Sequence, residues 1–77
     1  SVEESYAAGE ISAYIDDFLK TQKQETRVIF VRRYWYGMSI SELAKESGLR
    51  ENNIKTQLLR IRGELKDYLL KEGVYYE

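Results

Sequence analysis

Between Asn52 and Arg62 the chain carries Asn52, Asn53, Lys55, Thr56, Gln57, Arg60 and Arg62, with no carboxylate before Glu64. Amides, a hydroxyl and cations are the groups that bond base edges and phosphate oxygens. Through the same stretch Ile54, Leu58, Ile61, Leu65 and Leu69 recur at spacings of four, three, four and four, which is one apolar stripe of a long amphipathic helix. Stepping about 100° per residue from Ile54 puts Asn52, Asn53, Thr56, Arg60 and Gly63 most nearly opposite that stripe. Lys55 and Leu59 fall on one shoulder and Gln57 on the other. A helix lying in a major groove needs such a face. The bland alternative is a solvated face, which usually interleaves Glu with Lys.

Other chemistry is hard to build from this composition. The 77 residues include no Cys and no His, which removes the thiolate nucleophile, the near-neutral general base and the soft metal ligands. Asp16 and Asp17 invite a reading as paired acids. Neighbours on a helix diverge by about 100° and cannot converge on one ligand, so a solvated acidic face is the better reading. We expect no enzyme activity, no cofactor and no metal site. No apolar run approaches the ~20 residues of a membrane span, and no signal-peptide pattern is present. The expected location is the cytoplasm, with no membrane partner.

The elements that would position the polar face are legible just before it. Ser39, Ile40, Ser41 and Glu42 have the S-x-x-E spacing of a capping box, with Met38 and Leu43 placed as a hydrophobic staple. A short helix should therefore start at Ser39, with Ile40, Leu43 and Ala44 on one face, and end at Gly48, which can take the left-handed conformation. Leu49 plugs the turn, and the long helix follows from about Glu51. Two helices joined by a tight Gly turn, with small Ala44 at their crossing, read as a helix-turn-helix.

Upstream, residues 1–8 are acidic and small and read as a frayed linker end. From about Gly9 the positions Ile11, Tyr14 or Ile15, Phe18 and Leu19 predict a first helix. A second runs from about Thr21 or Gln22 to Tyr36, with Val28, Val31 and Trp35 on one face, Phe30 and Tyr34 broadening it, and Gly37 ending it. Trp35 and Tyr34 read better as core anchors than as a stacking platform for single strands. Arg32 and Arg33 lie off that face, as a phosphate contact or a solvated basic pair. Ile29, Tyr36 and Leu59 are surplus apolar residues expected at the surface. Asp67 to Gly73 continues the last helix, and residues 74–77 form an apolar tail that folds back or marks a contact surface.

Net charge divides unevenly: −4 over residues 1–26, +5 over 27–66 and −2 over 67–77, for a total of −1. A positive centre in a near-neutral chain fits a module that touches DNA on one side and a protein on another.

Phe30 to Ile40, Glu42-Leu43-Ala44, Gly48-Leu49, Ile54 to Arg62 and Leu65 together resemble region 4 of the sigma-70 class of bacterial sigma factors. The pattern is nearest to the small extracytoplasmic-function type, and the likeness covers roughly residues 10 to 72. In that family an LRYxxGLSxxEIA helix pair leads to a GISxxTVKSRLxRARxxL recognition helix. The resemblance implies recognition of the upstream (−35) element of double-stranded promoter DNA and a contact with the β flap of RNA polymerase core, for which anti-sigma proteins compete. It also puts the end of the second helix near the DNA backbone, which favours Arg32 or Arg33 at a phosphate, and it makes Ile29 and Tyr36 candidates for the polymerase or anti-sigma surface. Three positions depart from the pattern: Arg50 stands where Ser usually caps the helix, Gln57 where Arg is usual, and Gly63 where Lys or Arg is usual.

The expected architecture is all-α, a four-helix domain over residues 9–73 with a C-terminal helix-turn-helix: a winged-helix-like three-helix core without a wing. Arg50, Lys55, Arg60 and Arg62 would hold phosphates, and Asn52, Asn53, Thr56 and Gln57 would meet base edges. Two other readings stay open: a helix-turn-helix regulator that is not a sigma factor, and a helical protein-interaction module that binds no DNA. The chain opens without an initiator Met, and we expect it to be part of a longer protein.

Overall fold

The structure, a computed structural model, describes the backbone of residues 2–74 and the side chains of residues 11–74. Four helices follow one another: α1 (Val2–Lys20), α2 (Gln24–Tyr34), α3 (Ile40–Ser47) and α4 (Glu51–Lys71), with no strand among the described residues. The all-α expectation holds. α1 begins at Val2 rather than near Gly9, so residues 2–8, read as linker, are helical. Glu3, Glu4, Ala7 and Ala8 are strong helix formers, and no Pro interrupts them.

α4 is the axle on which the other helices are mounted. Near its start, Ile54 and Leu58 pack with Ile29 of α2 and Leu43 of α3, and Met38, Ile40, Ala44 and Leu49 close around them. Further along, Ile61 packs with Phe30 of α2 and with Phe18 and Leu19 of α1, flanked by Ile15, Val31, Leu65 and Tyr68. Neighbouring residues Ile29 and Phe30 thus serve two different clusters, which locks the rotation of α2 about its axis. The rings of Phe18 and Tyr68 sit 5.5 Å apart across the α1–α4 contact, within the range where tilted aromatic pairs attract.

α2 corrects three expectations. Its buried face is Thr26, Ile29 and Phe30. Ile29, read as a surface apolar residue and a partner contact, is only 3% exposed. Trp35, read as a core anchor, is 53% exposed, its ring 6.0 Å from that of Phe30. The cause is the run Val28-Ile29-Phe30-Val31: four successive apolar residues sweep about 300° of a helix. Periodicity then cannot choose the inward side, and packing against α3 and α4 chooses it. The helix also starts later than Thr21 or Gln22, because Thr21 closes α1: its N–H and hydroxyl both donate to the Phe18 carbonyl, at 3.0 and 2.6 Å. At the other end Gly37 takes φ 67°, and the Met38 N–H bonds the Arg32 carbonyl at 3.0 Å.

The capping box is present as the spacing requires. Glu42 N–H donates to Ser39 Oγ and Ser39 N–H to Glu42 Oε1, each at 3.0 Å. The bond from the Ser39 backbone, followed by that with its side chain, holds the Glu42 carboxyl below its ordinary range. A carboxyl lowered by folding contributes stability that is present above its unfolded pKa and lost as pH falls through the folded value. Thermal melts of wild type and Glu42→Gln should therefore differ at neutral pH and converge as the solution is acidified through that window. A constant difference would show that the charge plays no part.

α3 ends at Gly48, φ 74°, whose N–H bonds Ala44 O at 3.0 Å. Ser47 Oγ donates to Leu43 O at 2.7 Å and accepts the Leu49 N–H at 3.2 Å, so the turn into α4 is braced by a side chain as well as by glycine. Arg50 caps α4 with its backbone alone, its carbonyl accepting the Ile54 N–H at 3.1 Å. Gly73 closes α4 with φ 74°, and Val74 N–H returns to Leu69 O at 3.1 Å. The rest of the expected tail, residues 75–77, lies outside the described residues.

Candidate nucleic-acid interface

With Ile54, Leu58 and Ile61 facing inward, α4 turns its other side to solvent: Asn52, Asn53, Lys55, Thr56, Leu59, Arg60, Arg62 and Gly63 are exposed, as is Arg50 at its cap. Gln57 is half-buried. The stretch from Arg50 to Arg62 rises about 18 Å at 1.5 Å per residue, and a helix about 10–12 Å across matches a B-form major groove.

One edge of this surface is basic, its centre is uncharged, and its other edge mixes cations with a carboxylate. On one edge Arg33, Lys55 and Arg62 line a depression with Tyr34, Ile40 and Leu58. Arg62 donates to the Tyr34 hydroxyl at 3.1 Å, which gives its long side chain a fixed course. On the other edge Lys23, Glu25 and Thr26 of the α2 start join Asn52, Asn53, Thr56, Gln57 and Arg60 around an open concavity of about 470 Å³. Toward the middle of the surface Asn52 and Thr56, which also line that concavity, are joined by Leu59: two hydrogen-bonding side chains and one that can meet a thymine methyl.

The second edge is tied by a continuous polar relay. Arg60 donates to Thr26 Oγ1 at 3.4 Å, and Thr26 donates to Gln57 Oε1 at 2.9 Å. Gln57 Nε2 then donates to Glu25 at 3.2 Å and to Asn53 Oδ1 at 2.7 Å. Thr26 is buried, and no buried side-chain polar atom lacks a partner among the described residues. Arg60 also pairs with Glu64 at 3.2 Å. Lys23, Glu25 and Thr26 are absent from the sequence reading of the site, since the bonds of Glu25 and Thr26 to Gln57 span more than thirty positions and no local pattern announces them.

Arg32 and Arg33 separate in role. Arg33 is half-buried and donates to Met38 O at 2.8 Å, bracing the turn between α2 and α3. Arg32 is exposed and paired with Glu46 of α3. Tyr36 is 76% exposed and shares a shallow groove with Arg27, Val28, Val31 and Arg32, on α2 and away from the polar face of α4. Gly63 lies in ordinary helix with nothing within 4 Å of where a Cβ would stand. Gly63→Ala should accordingly stabilise the domain by about 0.5–1 kcal/mol, raising Tm by about 2–8 °C in a chain of this size. A lowered Tm would mean that the position carries a constraint the packing does not reveal.

Among the described residues no group of three His, Cys, Asp or Glu side chains could hold a metal ion, and no helix is long and apolar enough to cross a membrane. A capped short helix, a glycine turn and a long helix presenting amides beside a basic edge define a helix-turn-helix of the DNA-binding class. Comparison with known families narrows this: residues 13–65 match the family Sigma-70, region 4, and the chain belongs to it. This is a DNA-binding family of sigma factors, proteins of transcription that act with RNA polymerase. No match was found among curated proteins or among solved structures.

Proposed function

We propose that this chain is the domain of an extracytoplasmic-function type sigma factor that recognises the −35 promoter element and tethers RNA polymerase there. The observation that carries the reading is the uncharged hydrogen-bonding ridge on α4, flanked by the basic edge of Lys55, Arg62 and Arg33 on one side and by Lys23 and Arg60 among carboxylates on the other. A helix seated in a major groove has a phosphate backbone on each side and base edges beneath it, and the cations of this surface flank the ridge in the matching order. Lys55 and Arg62, with Arg33 behind them, meet one strand. Arg50, Lys23 and Arg60 serve the other phosphates. Asn52, Asn53, Thr56 and Leu59 lie over the bases. Tyr36 and the groove beside it are the surface for the polymerase β flap or a competing anti-sigma protein. Ile29, buried against Leu43, Ile54 and Leu58, is not part of that surface.

Selection from a random duplex pool tests the reading against its rivals. A monomeric −35 reader should enrich one short motif without two-fold symmetry. A dimeric helix-turn-helix regulator would enrich a palindrome with half-sites about 10 bp apart. No enrichment at low salt would favour a protein-interaction module instead.

A further inference from the structure

Gln57 sits on the DNA-facing side of α4, yet both ends of its amide are spent inside the protein. The polarity of the relay around it is set from its two ends. Arg60 can only donate and the Glu25 carboxylate can only accept. Thr26 Oγ1 receives from Arg60 and so gives its own proton to Gln57 Oε1. Gln57 Nε2 must then point to Glu25, and the same nitrogen reaches Asn53. A nitrogen donor next to Asn53 leaves one orientation for the Asn53 amide: its oxygen inward, taken at 2.7 Å, and its NH₂ outward, with no partner among the described residues.

We propose that Gln57 is a positioning residue that presents Asn53 to DNA as a donor, so that Asn53 selects a base with a keto acceptor in the major groove. The inference rests on the DNA-binding reading of α4 and deepens it. An unconstrained Asn pairs well with adenine, which needs its oxygen and nitrogen together. Here the oxygen is engaged by Gln57, and the outward NH₂ matches the keto oxygens, guanine O6 or thymine O4, where adenine and cytosine present an amino donor. The contact therefore favours guanine or thymine over adenine or cytosine at one base pair. Glu25 and Thr26, on a different helix, become specificity determinants without touching DNA.

The test is a panel of duplexes in which each base pair of the selected site is varied in turn, titrated with wild type, N53A, Q57M, Q57E and the N53A/Q57M double variant. Circular dichroism of each variant checks that helix content is kept. Wild type should prefer a keto base at one pair, by about tenfold for a single good contact. N53A and Q57M should each lose most of that preference at the same pair, and the double variant should lose no more than N53A. Q57E can only accept, which turns the Asn53 NH₂ inward and its oxygen outward, so the preference should pass to an amino base, adenine or cytosine. The inference is overturned if Gln57 variants change discrimination at a different pair from Asn53, if the losses add, or if either residue leaves discrimination untouched. Absence of duplex binding by wild type at low salt would overturn the DNA reading itself, a result distinct from bound duplex with the wrong base preference.

Discussion

Truncating Ile54 to Ala should cost about 2–5 kcal/mol, a large share of the stability of a domain for which the whole is of order 5–15 kcal/mol. Ile54 is fully buried where α2, α3 and α4 meet, between Ile29, Leu43 and Leu58. Its loss leaves a cavity where α3 is pinned to α4, and a helix of eight residues is too short to persist without that packing. Chemical denaturation of wild type and variant measures the difference. Leu59→Ala, one turn along the same helix but 65% exposed, should lie within about 0.5 kcal/mol of wild type. If the two variants lost equal stability, the assignment of inner and outer faces of α4 would be wrong.

The second large effect concerns binding. Lys55 and Arg62 share the depression with Arg33 on one edge of α4, where the proposed function puts a phosphate strand. Removing two phosphate contacts should lower the slope of log K against log salt by about 1.8, which at 0.15 M salt corresponds to about 30-fold weaker binding. The double variant Lys55→Ala/Arg62→Ala should show both losses on specific and scrambled duplexes alike, because phosphates carry no sequence. Titrations at several salt concentrations separate the two quantities. An unchanged slope would remove this edge from the interface, whatever happened to affinity at one salt.

Legibility differed along the chain for physical reasons. α3 and the turn after it could be read closely, because a capping box and a left-handed glycine are local devices whose geometry depends on residues three or four apart. The stripe of α4 was equally plain, since Ile54, Leu58 and Ile61 keep a helical spacing in polar surroundings from which only Leu59 departs. α2 was not, because Val28 to Val31 are apolar all round the helix and only tertiary packing decides that Ile29 goes in and Trp35 stays out. The exposed residues of α4 were identifiable as candidates, but not their roles. Gln57 looks like a base reader until α2 brings Thr26 and Glu25 to its amide, and Arg33 looks like a phosphate ligand until its bond to the Met38 carbonyl is seen.

The central claim is that the exposed face of α4 enters a DNA groove. The most direct measurement is a ¹⁵N NMR titration of the chain with a random-sequence duplex at low salt, where non-specific binding at Kd of about 10⁻⁴–10⁻⁶ M or tighter is within reach. The account predicts shifts at Asn52, Asn53, Lys55, Thr56 and the side-chain amide of Gln57, with α1 and the Tyr36 surface unmoved. Shifts confined to α1 and Tyr36, or none at all, would contradict it.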